Sequence, residues 1–152
     1  MNCLMHKPKA LADKGNKCIV YFRGGGCVFG SAEHREEVCN KIAAISNCIV
    51  INCNYRKCPE SKFPLPIFDA YAILKHVIAL ESELGIDKTK IALVGESAGS
   101  CIILGVAQHL VKMDEADLVK ILVLPWPMCG DSLVGGPQSD WTSFELSFKH
   151  MD

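Results

Sequence analysis

The sequence predicts an α/β fold, a three-layer sandwich in which a parallel sheet is covered by helices on both faces. Three observations carry this expectation. Short β-branched runs alternate with longer stretches at helical spacing, and those runs are apolar at successive positions, as strands buried on both faces must be. With 152 residues, 49% of them hydrophobic, the chain has enough material for one core and no length that calls for a second domain. It reads as a single domain over 1–152, with a core at about 17–124 and a patternless tail at 125–152.

The elements follow in order. Residues 17–22 (KCIVYF) form a first strand, ended by Gly24, Gly25 and Gly26, which no strand interior favours. Over 33–46, Val38, Ile42 and Ile45 recur at three- and four-residue steps opposite Glu36, Glu37 and Lys41, which predicts an amphipathic helix with those apolar residues inward. Residues 48–52 (CIVIN) are the second strand. The stretch NYRKCPESKFPLP, with its three prolines, must be an extended loop. A helix over 67–84 follows, apolar at Ala70, Leu74, Val77 and Ile78, and Gly85 stops it. Residues 91–94 make a third strand, 97–112 a third helix and 121–124 (ILVL) a fourth strand. Right-handed crossovers and the commonest small doubly wound order, 2-1-3-4, set the ends of the first and third strands side by side, where ligands bind in such sheets. RGGGCVFG and GESAGS then face one another across one crevice.

Composition narrows the function. Sixteen Lys and Arg against seventeen Asp and Glu give a net charge of −1, so no global positive field recommends nucleic acid or anionic lipid, and a small neutral substrate fits. The nine cysteines fall on apolar stretches rather than at metal-ligand spacing and read mostly as small core residues, so neither a metal nor a cofactor is expected. There is no signal-peptide pattern near the start, no apolar run approaching the ~18 residues of a membrane span, and no N-x-[ST] sequon. The expected location is therefore cytoplasmic.

Gly95-Glu96-Ser97-Ala98-Gly99 satisfies G-x-S-x-G in the strand, sharp turn, helix setting that exposes a serine hydroxyl. The helix amino end adds N–H groups and a positive dipole for a developing oxyanion. A plain serine N-cap is the competing reading, but a cap does not need both glycines. The Gly24-Gly25-Gly26 loop lets backbone N–H groups approach a carbonyl oxygen. It is not a dinucleotide loop, since Gly24, Gly26 and Gly30 have the wrong spacing and no acidic residue ends the second strand, and no G-K-[ST] makes it a P-loop.

The blocks YFRGGGCVFGS, NYRKCPESKFPLPIFDAYAILKHV and GIDKTKIALVGESAGS, in that order across roughly 17–124, resemble consecutive blocks of the hormone-sensitive-lipase-like α/β hydrolases, the group that includes arylacetamide-deacetylase-like esterases. The resemblance implies a partial α/β-hydrolase core that lacks the cap, the first two strands and the last two. It implies hydrolysis of a short-acyl carboxylic ester, with Ser97 as nucleophile and the N–H groups of Gly25, Gly26 and Ala98 as oxyanion hole. Glu60 and Asp69 match acidic positions of the second block and read as fixing loops. Arg23 stands where the family has histidine.

Family members carry an acid and then a histidine after later strands, and this chain has no counterpart of either. His109 would lie roughly 18 Å along the third helix from Ser97, at ~1.5 Å per residue, too far to act as its base. His34 and His76 read as solvated surface histidines, while His6 and His150 lie in terminal segments with no fixed place. Asp131 and His150 preserve the order Ser97, Asp131, His150 and are the substitutes available. A histidine two residues from the end has little to hold it in reach. Ester turnover by the chain alone is thus expected to be slow.

The rival reading is a noncatalytic small-ligand module, or an interaction protein that completes its sheet with another chain. Arg23 would then offer a carboxylate ligand a charge-assisted contact, unless it is an ordinary exposed arginine. The expected partners are a small ester or carboxylate and, through open sheet edges such as ILVL, a second copy of the chain, with no nucleic acid and no membrane.

Overall fold

The computed structural model describes residues 2–127, which build one five-stranded sheet in the order β1-β3-β2-β4-β5. The strands are β1 Cys3–His6, β2 Asn16–Phe22, β3 Ile49–Cys53, β4 Ile86–Gly95 and β5 Ile121–Val123. Between them run α1 Glu36–Ser46, α2 Leu65–Ala79, the short α3 Glu81–Leu84 and α4 Ala98–Lys112, with 3-10 turns at Ala32–Arg35 and Ala116–Leu118. The four predicted strands pair parallel in the predicted order.

Alternation along β2 divides the core. Cys18, Val20 and Phe22 point to the face covered by α2 and α4, where they meet Leu74, Ile103 and Val106. Tyr21 points to the other face and meets Cys39 and Ala43 of α1. β3 is buried at every position, which accounts for its unbroken apolar run.

Four expectations need correction. The strand at 17–22 is not the first, because β1 precedes it and pairs antiparallel with β3, Cys3 opposite Cys53 and His6 opposite Val50. The chain therefore has a strand ahead of the one at which the resemblance has it begin. His6 is fixed on that strand, 7% exposed, its Nδ1 2.9 Å from Asn40 Oδ1. The strand was missed because only its last residue is buried, so its four residues carry no apolar pattern.

The inward stripe of α1 is Cys39 and Ala43, with Ile42 partly buried, whereas Val38 is 41% and Ile45 87% exposed. Small residues let this helix lie close to the sheet, and weighing only large apolar side chains rotated the predicted stripe. The single helix expected over 67–84 is two, broken at Leu80 and stopped at Gly85 in the left-handed region (φ 69°). Finally, β4 begins at Ile86, its polar first half being paired to β2 at Asn16 ahead of a bulge.

Candidate active site

β2 and β4 are neighbours and end together, Phe22 opposite Gly95. The turn after β4 and the loop after β2 therefore leave the sheet at one point, the carboxyl ends of two central parallel strands.

The turn is shaped by lack of space. Ser97 sits at φ 50°, ψ −121°, a conformation L residues rarely adopt, just before the first residue of α4. A side chain on Gly95 would collide with the carbonyl of Gly99, and one on Gly99 with the carbonyls of Phe22 and Arg23. Ser100 Oγ donates 2.5 Å to Gly95 O and ties the turn from within. The Ser97 side chain makes no capping bond to α4, which removes the N-cap reading. Ala98, as the first residue of the helix, has an N–H without an intrahelical acceptor.

The loop, residues 24–30, meets this turn directly. The space where Gly24 would carry a Cβ lies 3.0 Å from Ser97 Cβ, so any side chain there would press on the serine. Gly25 and Gly26 have φ 118° and 62°, and Gly25 O accepts from the N–H groups of Val28 and Phe29 at 3.0 and 2.9 Å. Glu96, the variable residue of the motif, joins the two sides: its Oε1 accepts from Gly24 N at 3.3 Å and pairs with Arg35 Nε at 2.5 Å. Sequence reasoning passed over Glu96, although a carboxylate beside the serine was visible in the motif.

Arg23 is neither exposed nor turned to the crevice. It is 2% exposed and lies beneath the loop, where Nη1 donates to the carbonyls of Gly24 (2.7 Å) and Phe29 and the guanidinium sits 5.0 Å from the centre of the Tyr55 ring. Its Nε and Nη2 have no hydrogen-bond partner among the described residues. The cation was read as ligand-facing or exposed because arginine is seldom buried.

The proline-rich segment braces the same loop from outside. Tyr55 Oη donates to Arg23 O at 3.0 Å, Lys57 Nζ to Gly30 O at 2.9 Å and Cys58 N to Cys27 O at 2.9 Å. Burial holds the Tyr55 hydroxyl protonated, its pKa pushed up to about 12. The segment is in turn clamped by Asp69, 2% exposed, which accepts from Arg56 N, Nε and Nη2 at 2.9, 2.9 and 2.6 Å. Burial pushes the Asp69 carboxyl up, but its bonds to Arg56 outweigh this and hold it below the usual aspartate range. Asp69 thus fixes a loop as expected, whereas Glu60 is exposed.

A small apolar cleft of about 130 Å³ opens beside the loop, lined by Cys27, Cys58, Phe63, Cys101 and Ile102 among others. Cys101 is one helical turn from Ser97, so cleft and serine share a face of α4. The described histidines lie elsewhere. His34 Nδ1 accepts from Ser31 N at 3.1 Å, His76 is exposed on α2, and His109 packs edge-on against Tyr71 and Phe68, with ring centres 4.7 and 6.1 Å apart. His6 pairs near the start of β3, away from the strand ends that carry the serine. Asp131 and His150 lie outside the described residues. Among the described residues no group of three His, Cys, Asp or Glu is placed to hold a metal ion, and no helix is long and apolar enough to cross a membrane.

Comparison with known proteins agrees with this architecture. A family model described as the alpha/beta hydrolase fold matches residues 19–145. Arylacetamide deacetylase-like 3 of Homo sapiens is 33% identical over 117 residues, which make up 77% of this chain and 28% of that protein. Esterase LipI of Mycobacterium tuberculosis is 33% identical over 116 residues, 76% of this chain and 36% of the relative. Among solved structures, the carboxylesterase EstE1 from a metagenomic library superposes with a TM-score of 0.78 at 36% identity, covering 87% of this chain and 46% of its own. The chain spans under half the length of these relatives. With residues 19–145 matched by that model, the chain belongs to the α/β-hydrolase fold family, within its hormone-sensitive-lipase-like group.

Proposed function

We propose that Ser97 is the nucleophile of a carboxylic-ester hydrolase and that the N–H groups of Gly25, Gly26 and Ala98 receive the oxyanion. The observation that carries the reading is the strained Ser97 backbone, held by steric exclusion at Gly95 and Gly99 and touched by a loop with two glycines at positive φ. Such a turn lifts the hydroxyl clear of the helix it precedes, and the same helix offers its first free N–H to the carbonyl oxygen of the group the hydroxyl attacks. Ser97 Oγ bonds to the acyl carbon and loses its proton to a base. The carbonyl oxygen gains charge facing the glycine N–H groups, and the alcohol departs with a proton. The 130 Å³ cleft is apolar and suits a short acyl chain. The named esterases among the relatives and solved structures support the same substrate class.

Asp131 and His150 lie outside the described residues; of the described histidines, His6, His34 and His109 have other partners and His76 lies exposed on α2. General-base assistance contributes ~100- to 10,000-fold, so with no described histidine beside Ser97 slow acylation is the expected outcome. Incubation with p-nitrophenyl acetate followed by peptide mass mapping tests the assignment. An acetyl group on Ser97, absent from Ser97→Ala, is expected. Equal nitrophenol release by both proteins, with acetyl found only on lysines, would overturn it. Brisk turnover lost in both Ser97→Ala and His150→Ala would make His150 the base.

The exposed outer side of β5 extends the proposal to partners. Ile121, Leu122 and Val123 are 58%, 36% and 43% exposed on an edge strand, and an apolar edge recruits a second copy of itself. Light scattering during size exclusion should find a mass that rises with concentration. A constant monomer mass would count against it.

A further inference from the structure

The cysteines of β1 and β3 have no part in the ester chemistry. Cys3 and Cys53 are direct partners in the antiparallel register. The neighbouring pair, Asn2 and Asn54, carries the backbone bond, Asn54 N donating to Asn2 O at 3.1 Å. Bonded and non-bonded pairs alternate along an antiparallel ladder, so Cys3 and Cys53 form a non-hydrogen-bonded pair, whose Cα atoms stand ~4.5 Å apart with side chains on one face. That separation falls at the short end of the ~4.4–6.8 Å that a disulfide spans.

We propose that Cys3 and Cys53 are a redox pair that closes to a cross-strand disulfide under mild peroxide. The two sulfurs are unequal in the way such a pair requires. Cys3 is exposed, and its thiol is lowered to about 7, first because the Cys53 thiol hydrogen-bonds to it, with the Asn54 N–H adding to this against the opposing effect of burial. Cys53 is wholly buried, which pushes its thiol well above the ordinary range and keeps it protonated, its Sγ donating to Ile51 O at 3.3 Å. An accessible thiolate beside a protected second thiol is the arrangement of a redox sensor.

The chemistry balances with one peroxide as oxidant. The Cys3 thiolate attacks one peroxide oxygen, breaking the O–O bond to give a sulfenic acid and hydroxide, which takes up a proton as water. The Cys53 sulfur then attacks the Cys3 sulfur, loses its proton and expels the sulfenic oxygen as a second water. Two thiols are oxidised, one peroxide is reduced to two waters, and a dithiol reverses the step.

The bond would join the edge strand to the buried strand beside it. It would also fix one wall of an apolar groove of about 610 Å³ that Cys3, Met5 and Ile51 line together with Ile73, Val77 and Leu84. Tethering two segments this far apart in sequence is expected to raise the melting temperature by on the order of 10 °C.

The test uses the reduced chain, one equivalent of hydrogen peroxide at pH 7, alkylation of the remaining thiols and non-reducing peptide mapping. A Cys3–Cys53 link is expected, with a higher melting temperature that dithiothreitol reverses. Alkylation of Cys3 by iodoacetamide should reach half its maximal rate near pH 7, ahead of the other cysteines. Cys53→Ala should stall at a Cys3 sulfenic acid that dimedone traps. The proposal is overturned if peroxide links other cysteines, such as Cys27 with Cys58, or if Cys53 stays fully alkylated while Cys3 is oxidised. The wild-type map decides even if Cys53→Ala does not fold.

Discussion

The two glycine-rich turns that meet at Ser97 are held in opposite ways. The serine turn is set by exclusion, since at Gly95 and Gly99 the backbone of the chain itself occupies the volume a side chain would need. The loop at 24–30 is set by filling, with a buried guanidinium bonding its carbonyls from below and Tyr55, Lys57 and Cys58 bonding it from outside. A turn made by exclusion carries its instructions in its own few letters. A loop made by filling borrows them from residues about thirty positions away, which any fault in those residues will expose.

Four perturbations test that contrast, from the largest expected effect to the smallest. Gly99→Ala drives a methyl into the Phe22 and Arg23 carbonyls and should cost about 3 kcal/mol or more in urea denaturation. A cost below 1 kcal/mol would mean the turn relaxes freely. Arg23→Ala should cost roughly 2–3 kcal/mol, because it leaves a void and two unbonded loop carbonyls. Arg23→Met fills the same space without a charge that has no carboxylate partner among the described residues, and it should cost less. If the two variants cost the same, the hydrogen bonds matter and the filling does not.

Ser97→Gly acts in the other direction. It removes a side chain from a strained conformation and should stabilise by about 1 kcal/mol, read as a melting temperature higher by about 3 °C, while abolishing acylation at this position. An unchanged or lower melting temperature would show that the turn stores no strain.

Acid provides the most local perturbation. The folded carboxyl of Asp69 titrates below its unfolded value near ~3.9, so its bonds to Arg56 contribute stability above about pH 4 and lose it as pH falls through the lower folded value. Hydrogen exchange near pH 3 should therefore accelerate at 54–58 and in the loop before it does in the serine turn. Simultaneous loosening of both would erase the distinction.

The same contrast explains what could be read from the letters. The parallel order, the crevice between β2 and β4 and the position of Ser97 were legible, because strand runs, the Gly95 to Gly99 spacing and crossover handedness are local or general rules. The burial of Arg23 was not, since it depends on Tyr55 and on the Phe29 carbonyl coming to the same place. β1 was hidden because its pattern is set by one buried residue, and the α1 stripe because Cys39 and Ala43 are small. The clamp at Asp69 was legible in kind, as a buried carboxylate fixing a loop, but its partner Arg56 was not.

The pairing of β2 with β4 also bears on biosynthesis. Cys18 lies opposite Ile91, so the central ladder joins segments separated by most of the described chain. A nascent chain can join β2 to β3 through the nearby α1 crossover, but the other side of β2 has no partner until β4 leaves the ribosome. At ~5–20 residues per second that wait lasts several seconds, with an apolar strand edge and the glycine loop uncovered. The serine turn, the last part of the crevice to be made, thus arrives at a loop whose braces at 54–58 and Asp69 have already been synthesised. Chaperone demand should peak in that interval, when the sheet has an open centre rather than an open rim.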